Sequence, residues 1–159
     1  MNFSIDLSHS FSTLQGIQKI EANLQIPLGE FVSISGISGS GKTTFLKLIS
    51  GLIQPENGTN CWGEQVWNDT KNKQCIPPQE RNLGMVFQDY ALYPHMNVKE
   101  NIQYPLKIRK YPKDECERRV NMAAKALSIE NLLDRKPGQI SGGQQQRVAV
   151  ARAMATTPN

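Results

Sequence analysis

The residues Gly36-Ile37-Ser38-Gly39-Ser40-Gly41-Lys42-Thr43 fit the spacing GxxxxGK[ST]. Glycines at these positions let a loop curl until successive backbone N–H groups converge on one anion, and a helix beginning at the end of the loop adds its positive dipole. Lys42 brings an ammonium on a long stem, and Thr43 brings a hydroxyl suited to Mg²⁺. The chemistry this set can do is to hold the phosphates of a nucleotide, with Lys42 on the β- and γ-phosphates. The whole run Gly36 to Thr43, together with Thr44 behind it, is the candidate phosphate-binding set. The competing reading, an ordinary Gly/Ser surface loop, is disfavoured because an apolar run precedes the loop and a helical pattern follows it.

Two further places carry chemistry. In Ile140-Ser141-Gly142-Gly143-Gln144-Gln145-Gln146-Arg147, a serine and two glycines stand where an Ala-rich helical stretch to Ala155 begins. Ser141 and the N–H groups of Gly142, Gly143 and Gln144 form a second candidate anion cradle. The plainer alternative is a capped helix start, with Ser141 as N-cap after Pro137-Gly138. Gln88 closes the apolar run Leu83-Gly84-Met85-Val86-Phe87 and places a neutral amide at the head of a loop. A guanine-reading Asn-Lys-x-Asp sequence is not visible; Asn72-Lys73-Gln74-Cys75 fails at its fourth position.

These residues need elements to hold them. Phe3, Ile5 and Leu7 alternate, and so do Ile20, Ala22, Leu24, Ile26 and Leu28, which predicts two half-buried strands. His9 to Gly16 between them reads as a polar turn. Phe31-Val32-Ser33-Ile34-Ser35 predicts a short buried strand leading into the glycine loop. Thr44 to Ser50 predicts a helix with Gly51 as its C-cap. Pro55-Glu56-Asn57-Gly58 predicts a turn, Thr59 to Trp67 strand segments broken at Gly63, and Leu83 to Phe87 another strand. Pro112 suits a helix start, and Cys116, Val120, Ala123, Ala124 and Leu127 then line one helical face.

A length of 159 residues implies one domain or a piece of one, and 18 basic against 14 acidic residues give a formal charge of +4. The balance excludes disorder, collagen and coiled coil. There is no apolar run of membrane-spanning length and no export signal at the amino end. Cys61, Cys75 and Cys116 are too few and scattered for a disulfide framework, and with His9 and His95 they make no zinc site. No Lys/Arg block argues for a nucleic-acid partner, and none is expected.

Taken together, the three chemical segments resemble the ATP-binding subunit of an ATP-binding cassette (ABC) transporter of importer type. Gly36 to Thr43 matches the family's Walker A loop, Ile140 to Gln144 its signature, with Ile in the usual place of Leu, and Gln88 its Q-loop glutamine. The resemblance implies an α/β P-loop NTPase fold with a RecA-like core, an amino-terminal antiparallel β subdomain and an α-helical signature subdomain. Residues 1–88 would then be β subdomain and P-loop core, 89–147 the Q-loop and helical part, and 148–159 the return toward a further strand. It implies ATP and Mg²⁺ as ligands, with Thr43 and Gln88 toward the metal and Lys42 and Gln88 in catalysis. It implies a head-to-tail dimer in which Ser141 to Gln144 serve the nucleotide of a second nucleotide-binding subunit.

The implied partners are transmembrane permease subunits and, through them, an external substrate-binding protein, with the chain at the cytoplasmic face of a membrane. Phe11 is the candidate adenine-stacking ring. His95 lies in the loop after Gln88 and is not the family's switch histidine. The family's Walker B strand, catalytic carboxylates and switch histidine would follow Asn159, so the chain is expected to be carboxy-terminally incomplete and to expose apolar surface. Pro77 to Gln88 and Ala91 to Met96 resemble importers of molybdate, sulfate, polyamines or sugars. Gly63 to Asp69 with Lys73 and Cys75 to Pro78 leans toward the molybdate branch, an oxyanion importer. Two readings stand beside a transport ATPase: a noncatalytic ATP-binding fragment, and a soluble ABC-type ATPase of DNA repair or translation.

Overall fold

β1 (Asn2–Thr13) buries Phe3, Ile5 and Leu7 on one face, as their alternation predicts. Each such side chain contributes on the order of 1.5–3 kcal/mol when removed from water. The computed structural model describes residues 2–13 and 16–156, which form two compact units dividing between Asn82 and Leu83.

In the first unit β1 pairs antiparallel with β2 (Gly16–Pro27) on one side and β3 (Asn57–Trp62) on the other. With β4 (Gln65–Asp69) and β5 (Gln74–Cys75) the sheet order is β2-β1-β3-β4-β5. Gly63 and Glu64 turn β3 into β4, where the sequence placed the break. Phe3, Trp62 and Trp67 cluster on the sheet, the two indoles stacked 5.7 Å apart. α1 (Lys42–Ser50) ends at Gly51, whose φ of 80° and N–H bond to Leu48 give the expected left-handed cap.

The second unit packs α2 (Val98–Ile108), α3 (Lys113–Ala126) and α4 (Gly142–Ala155) around Val98, Ile102, Val120, Ala124, Val148 and Ala151. Asn97 and Glu100 close a reciprocal capping box on α2. The predicted face of α3 is buried at Cys116, Val120, Ala123 and Ala124, with Leu127 packed beside them.

Several expectations are corrected. Phe31 to Ser35 is not a buried strand: residues 30–37 have no regular structure, Phe31 is 94% exposed and Ile37 83%. Leu83 to Phe87 is likewise irregular. A buried strand requires hydrogen-bonded neighbours, and no described strand pairs with either segment. Residues 31–37 thus expose apolar side chains, Phe31, Val32, Ile34 and Ile37 among them. His9 to Thr13, read as turn, extends β1, because the ladder to Ile17, Gln18 and Ile20 outweighs its polar composition; Leu14 and Gln15 lie outside the described residues. Leu24 is exposed because β2 lies at the edge of the sheet, and Leu28 falls in the turn beyond it.

Asn57 and Gly58 are already strand. Gly58 is a glycine for close approach: a Cβ there would fall on the Asp6 carbonyl oxygen and lie 2.6 Å from Leu7 Cα.

Candidate functional site

The glycine loop runs from the irregular 30–37 segment into α1. Gly36, Gly39 and Gly41 have φ of 155°, 82° and 89°, values that side chains beyond glycine rarely adopt. The loop is also tight. A Cβ on Gly36 would meet Ser40 Oγ at 2.9 Å, and one on Gly41 would meet Phe11 Cζ at 2.8 Å and Ile20 Cδ1 at 2.9 Å. The backbone thus passes close beneath the β1–β2 hairpin with no room for a side chain.

Lys42 folds back over its own loop. Its Nζ donates to Gly36 O at 2.9 Å, Ile37 O at 2.7 Å and Ser40 Oγ at 3.4 Å. The ammonium is held over the coil of the loop, on oxygens that phosphate oxygens can replace. Gly41 caps α1 without a side-chain bond, and no acidic residue stands in the first turn. The first-turn N–H groups of a helix have no acceptor within it, so Lys42, Thr43 and Thr44 offer donors and dipole to an anion. Thr43 is exposed at this helix start. A cleft of about 650 Å³ opens between β2, the 32–35 segment and Ser40 to Phe45. These features fit a chain of phosphates.

Among the described residues no three His, Cys, Asp or Glu side chains gather to hold a metal ion. The exposed Thr43 hydroxyl at the start of α1 is one oxygen that a Mg²⁺ shared with nucleotide phosphates could use.

In the second unit, Ser141 is the N-cap of α4. Its Oγ accepts from Gln144 N–H at 3.3 Å, and Gln144 Oε1 accepts from Ser141 N–H at 2.8 Å. The capped-start alternative is therefore realised in the geometry. The cap uses the serine oxygen as acceptor and leaves its O–H able to donate outward. Gly142 and Gly143 are exposed, with nothing within 4 Å of where a Cβ would stand. Gln88 is exposed in a turn in which Tyr90 N–H bonds Phe87 O at 3.0 Å. Asp89 is exposed beside it, and His95 sits on the loop before α2, its ring 6.1 Å from that of Tyr93.

The sequence reading missed three polar residues that build these loops. Arg81, 1% exposed, donates to Ile49 O at 2.7 Å, Ile76 O at 2.8 Å and Trp67 O at 3.3 Å. Burial pushes its guanidinium down from the ordinary value, partly offset by the Cys75 sulfur. Asn101, fully buried, brackets Tyr93 by accepting from its N–H at 2.8 Å and donating to its carbonyl at 3.1 Å. Arg152 of α4 donates to Tyr90 O and Ala91 O. No periodicity marks such residues, since each bonds backbone groups rather than a matching side chain. Among the described residues no helix is long and apolar enough to cross a membrane.

The fold and the loop define an ATP-binding cassette of the P-loop type, with an antiparallel β unit and an α-helical unit. The profile of the ABC transporter family matches residues 20–159, and the chain belongs to that family. It is homologous to the ATP-binding proteins of several importers. The sn-glycerol-3-phosphate import ATP-binding protein UgpC of Brucella abortus is 54% identical over 136 residues, 86% of this chain and 37% of that protein. The trehalose/maltose import ATP-binding protein MalK of Thermococcus litoralis is 46% identical over 138 residues, 87% of this chain and 37% of that protein. The chain thus spans just over a third of the length of these relatives.

Among solved structures, the dimeric bacterial ABC transporter cassette MJ0796 superimposes with a TM-score of 0.81 at 35% identity, over 99% of this chain and 71% of that one. The same cassette has been solved as a dimer in a post-hydrolysis state bound to ADP and Pi, with a TM-score of 0.81 at 36% identity over the same shares of the two chains.

Proposed function

We propose that this chain is the nucleotide-binding part of an ABC importer, coupling ATP binding and hydrolysis to uptake of an oxyanion, molybdate. The observation that carries the ATP reading is the Gly36 to Thr43 loop, with its compressed glycines, free helix start and ammonium held across it. When bound, Mg²⁺ neutralises charge developing on the phosphoryl oxygens. Lys42 would exchange the Gly36 and Ile37 carbonyl oxygens for phosphate oxygens, Thr43 would offer its hydroxyl to the metal, and Gln88 would supply an amide for the metal or the attacking water. Phe11, packed over Gly41, lies close enough to the phosphate loop to stack an adenine.

Ser141 to Gln144 serve the nucleotide of a second nucleotide-binding subunit, head to tail, which fits a capped start whose exposed serine oxygen is used only as an acceptor, leaving its O–H available to donate. ATP then completes an interface between two anion cradles, so dimerisation and binding are linked. Residues 1–88, 89–147 and 148–159 act as parts of one nucleotide-binding domain. It works at the cytoplasmic face of a membrane against permease subunits, with a substrate-binding protein beyond them.

The cargo assignment rests on the resemblance of Gly63 to Asp69, Lys73 and Cys75 to Pro78 to the molybdate branch. UgpC and MalK name unlike cargoes, so the nucleotide subunit itself does not select among them. The test reconstitutes the intact protein with its permease and binding protein and measures ATP-driven uptake of molybdate, trehalose and glycerol-3-phosphate. Molybdate-dependent ATP turnover is expected; turnover stimulated only by a sugar or glycerol-3-phosphate rejects the oxyanion.

A further inference from the structure

Arg152 stands on α4 eleven positions beyond Ser141, about 16 Å along the helix axis at 1.5 Å per residue. Its Nη1 donates to Ala91 O at 2.6 Å and its Nη2 to Tyr90 O at 2.7 Å. Its guanidinium carbon lies 5.9 Å from the centre of the Tyr93 ring. Among the described residues it has no carboxylate partner. A half-buried guanidinium that spends both forks on consecutive backbone carbonyls fixes main chain, not a side chain. The planar fork also sets the spacing between the two oxygens, which an ammonium cannot do.

The clamped residues are unusual themselves. Tyr90 and Ala91 have φ of 60° and 44°, left-handed values at two successive positions that are not glycine. Each is strained for a residue with a side chain and persists only where the surroundings impose it. The same turn contains Gln88, through the Tyr90 N–H bond to Phe87 O. On the far side of the clamp, Asn101 of α2 holds both backbone groups of Tyr93. The segment from Gln88 to Tyr93 is thus tied to α4 by one side chain and to α2 by another.

We propose that Arg152 is a positioning residue for Gln88, carrying displacements of the helix that begins at Ser141 into the turn that holds the glutamine. The idea rests on the ATPase reading above and assigns to Arg152 the link between its two distant parts. Shifting α4 drags the Tyr90 and Ala91 carbonyls, and the left-handed pair then has to turn. Gln88, two residues before the first clamped carbonyl, changes direction with it.

The test uses the intact protein assembled with its membrane subunits and measures kcat and KM for ATP in a double-mutant cycle. Arg152→Met is expected to lower kcat about tenfold with KM within about twofold, and to cost less than about twofold more in a Gln88→Ala background. Arg152→Lys, which keeps a donor without the fork, recovers part of the rate. Where the Met variant does not fold, the cycle is run with the Lys variant. An unchanged kcat, or losses that multiply in full with Gln88→Ala, overturns the proposal. Lys42→Ala separates the two ideas: if it leaves ATP turnover intact, the ATPase reading itself has failed.

Discussion

Arg81 donates to the carbonyl oxygen of Ile49 at 2.7 Å, placing a positive charge at the carboxyl end of the helix that Lys42 begins. This contact complements the helix dipole and shares the last-turn Ile49 carbonyl with Asn60 Nδ2, which donates to it at 3.2 Å. A Cβ on Gly51 would stand 2.6 Å from Arg81 Nη2, so the glycine cap and the guanidinium need each other. Arg81→Met removes a donor from three carbonyls, of which Ile49 O keeps Asn60 Nδ2 and Trp67 O keeps the Ile76 N–H. It is expected to destabilise the intact protein by roughly 1–3 kcal/mol, the cost of a buried group left without its partner. Urea denaturation measures it; a loss below about 1 kcal/mol would mean that water takes over the carbonyls.

Lys42→Ala tests the phosphate loop. Charge-assisted hydrogen bonds are worth about 1.5–3 kcal/mol, so ATP should bind roughly 10- to 100-fold more weakly, with helix content unchanged. Calorimetry on the intact protein checks this. Equal affinity in wild type and variant would remove Lys42 from the site.

Ser141 has a structural duty and a proposed chemical one, and two substitutions separate them. Ser141→Ala should cost about 1 kcal/mol through the lost cap, Ser141→Gly only a few tenths. Both lack the hydroxyl. ATP turnover that falls in both variants alike assigns the hydroxyl to the partner's nucleotide; turnover that tracks the melting temperature assigns it to the cap alone.

Glu115 accepts from Arg118 at 2.7 Å and also pairs with Arg119, whose Nη1 reaches Ala155 O on α4 at 3.2 Å. The two guanidiniums hold its carboxyl down to about 2 from an ordinary 4.5. A carboxyl depressed on folding lends stability above its unfolded value, and that stability is lost as pH falls through the folded one. The tie between α3 and α4 should therefore weaken between pH 4.5 and about 2. Glu115→Gln should flatten that part of the stability profile. Thermal melts across the acid range, wild type against variant, decide it; parallel curves would show that the pair carries no net stability.

The hairpin, α1, α3 and the start of α4 were legible because each is written locally: alternation in β1, the glycine at 51, the apolar stripe at Cys116 to Leu127, the Ser141 cap. The phosphate loop was legible for the same reason, as residue types in one unbroken run. Phe31 to Ser35 and Leu83 to Phe87 misled because an apolar run states a preference for burial without saying whether a neighbour strand is there to pair. The three loop-building side chains were invisible for another reason. Arg81, Asn101 and Arg152 act on carbonyls and amides, which every residue carries, so their partners leave no mark in composition. Arg152 and its acceptors are 62 and 61 positions apart.

Trp62 and Trp67 are the two tryptophans of the sequence, and they stack within one cluster of the β sheet. Indole emission from these 159 residues therefore watches the sheet unit alone, while α2, α3 and α4 dominate far-ultraviolet ellipticity. The two signals are built-in, spatially separate reporters. Coincident unfolding curves would mean that the sheet and the helices melt as one cooperative body, and offset curves would resolve a state with one unit folded. The nearly parallel rings, 6° apart, also couple their transitions, so loss of that exciton signature marks the parting of β3 from β4.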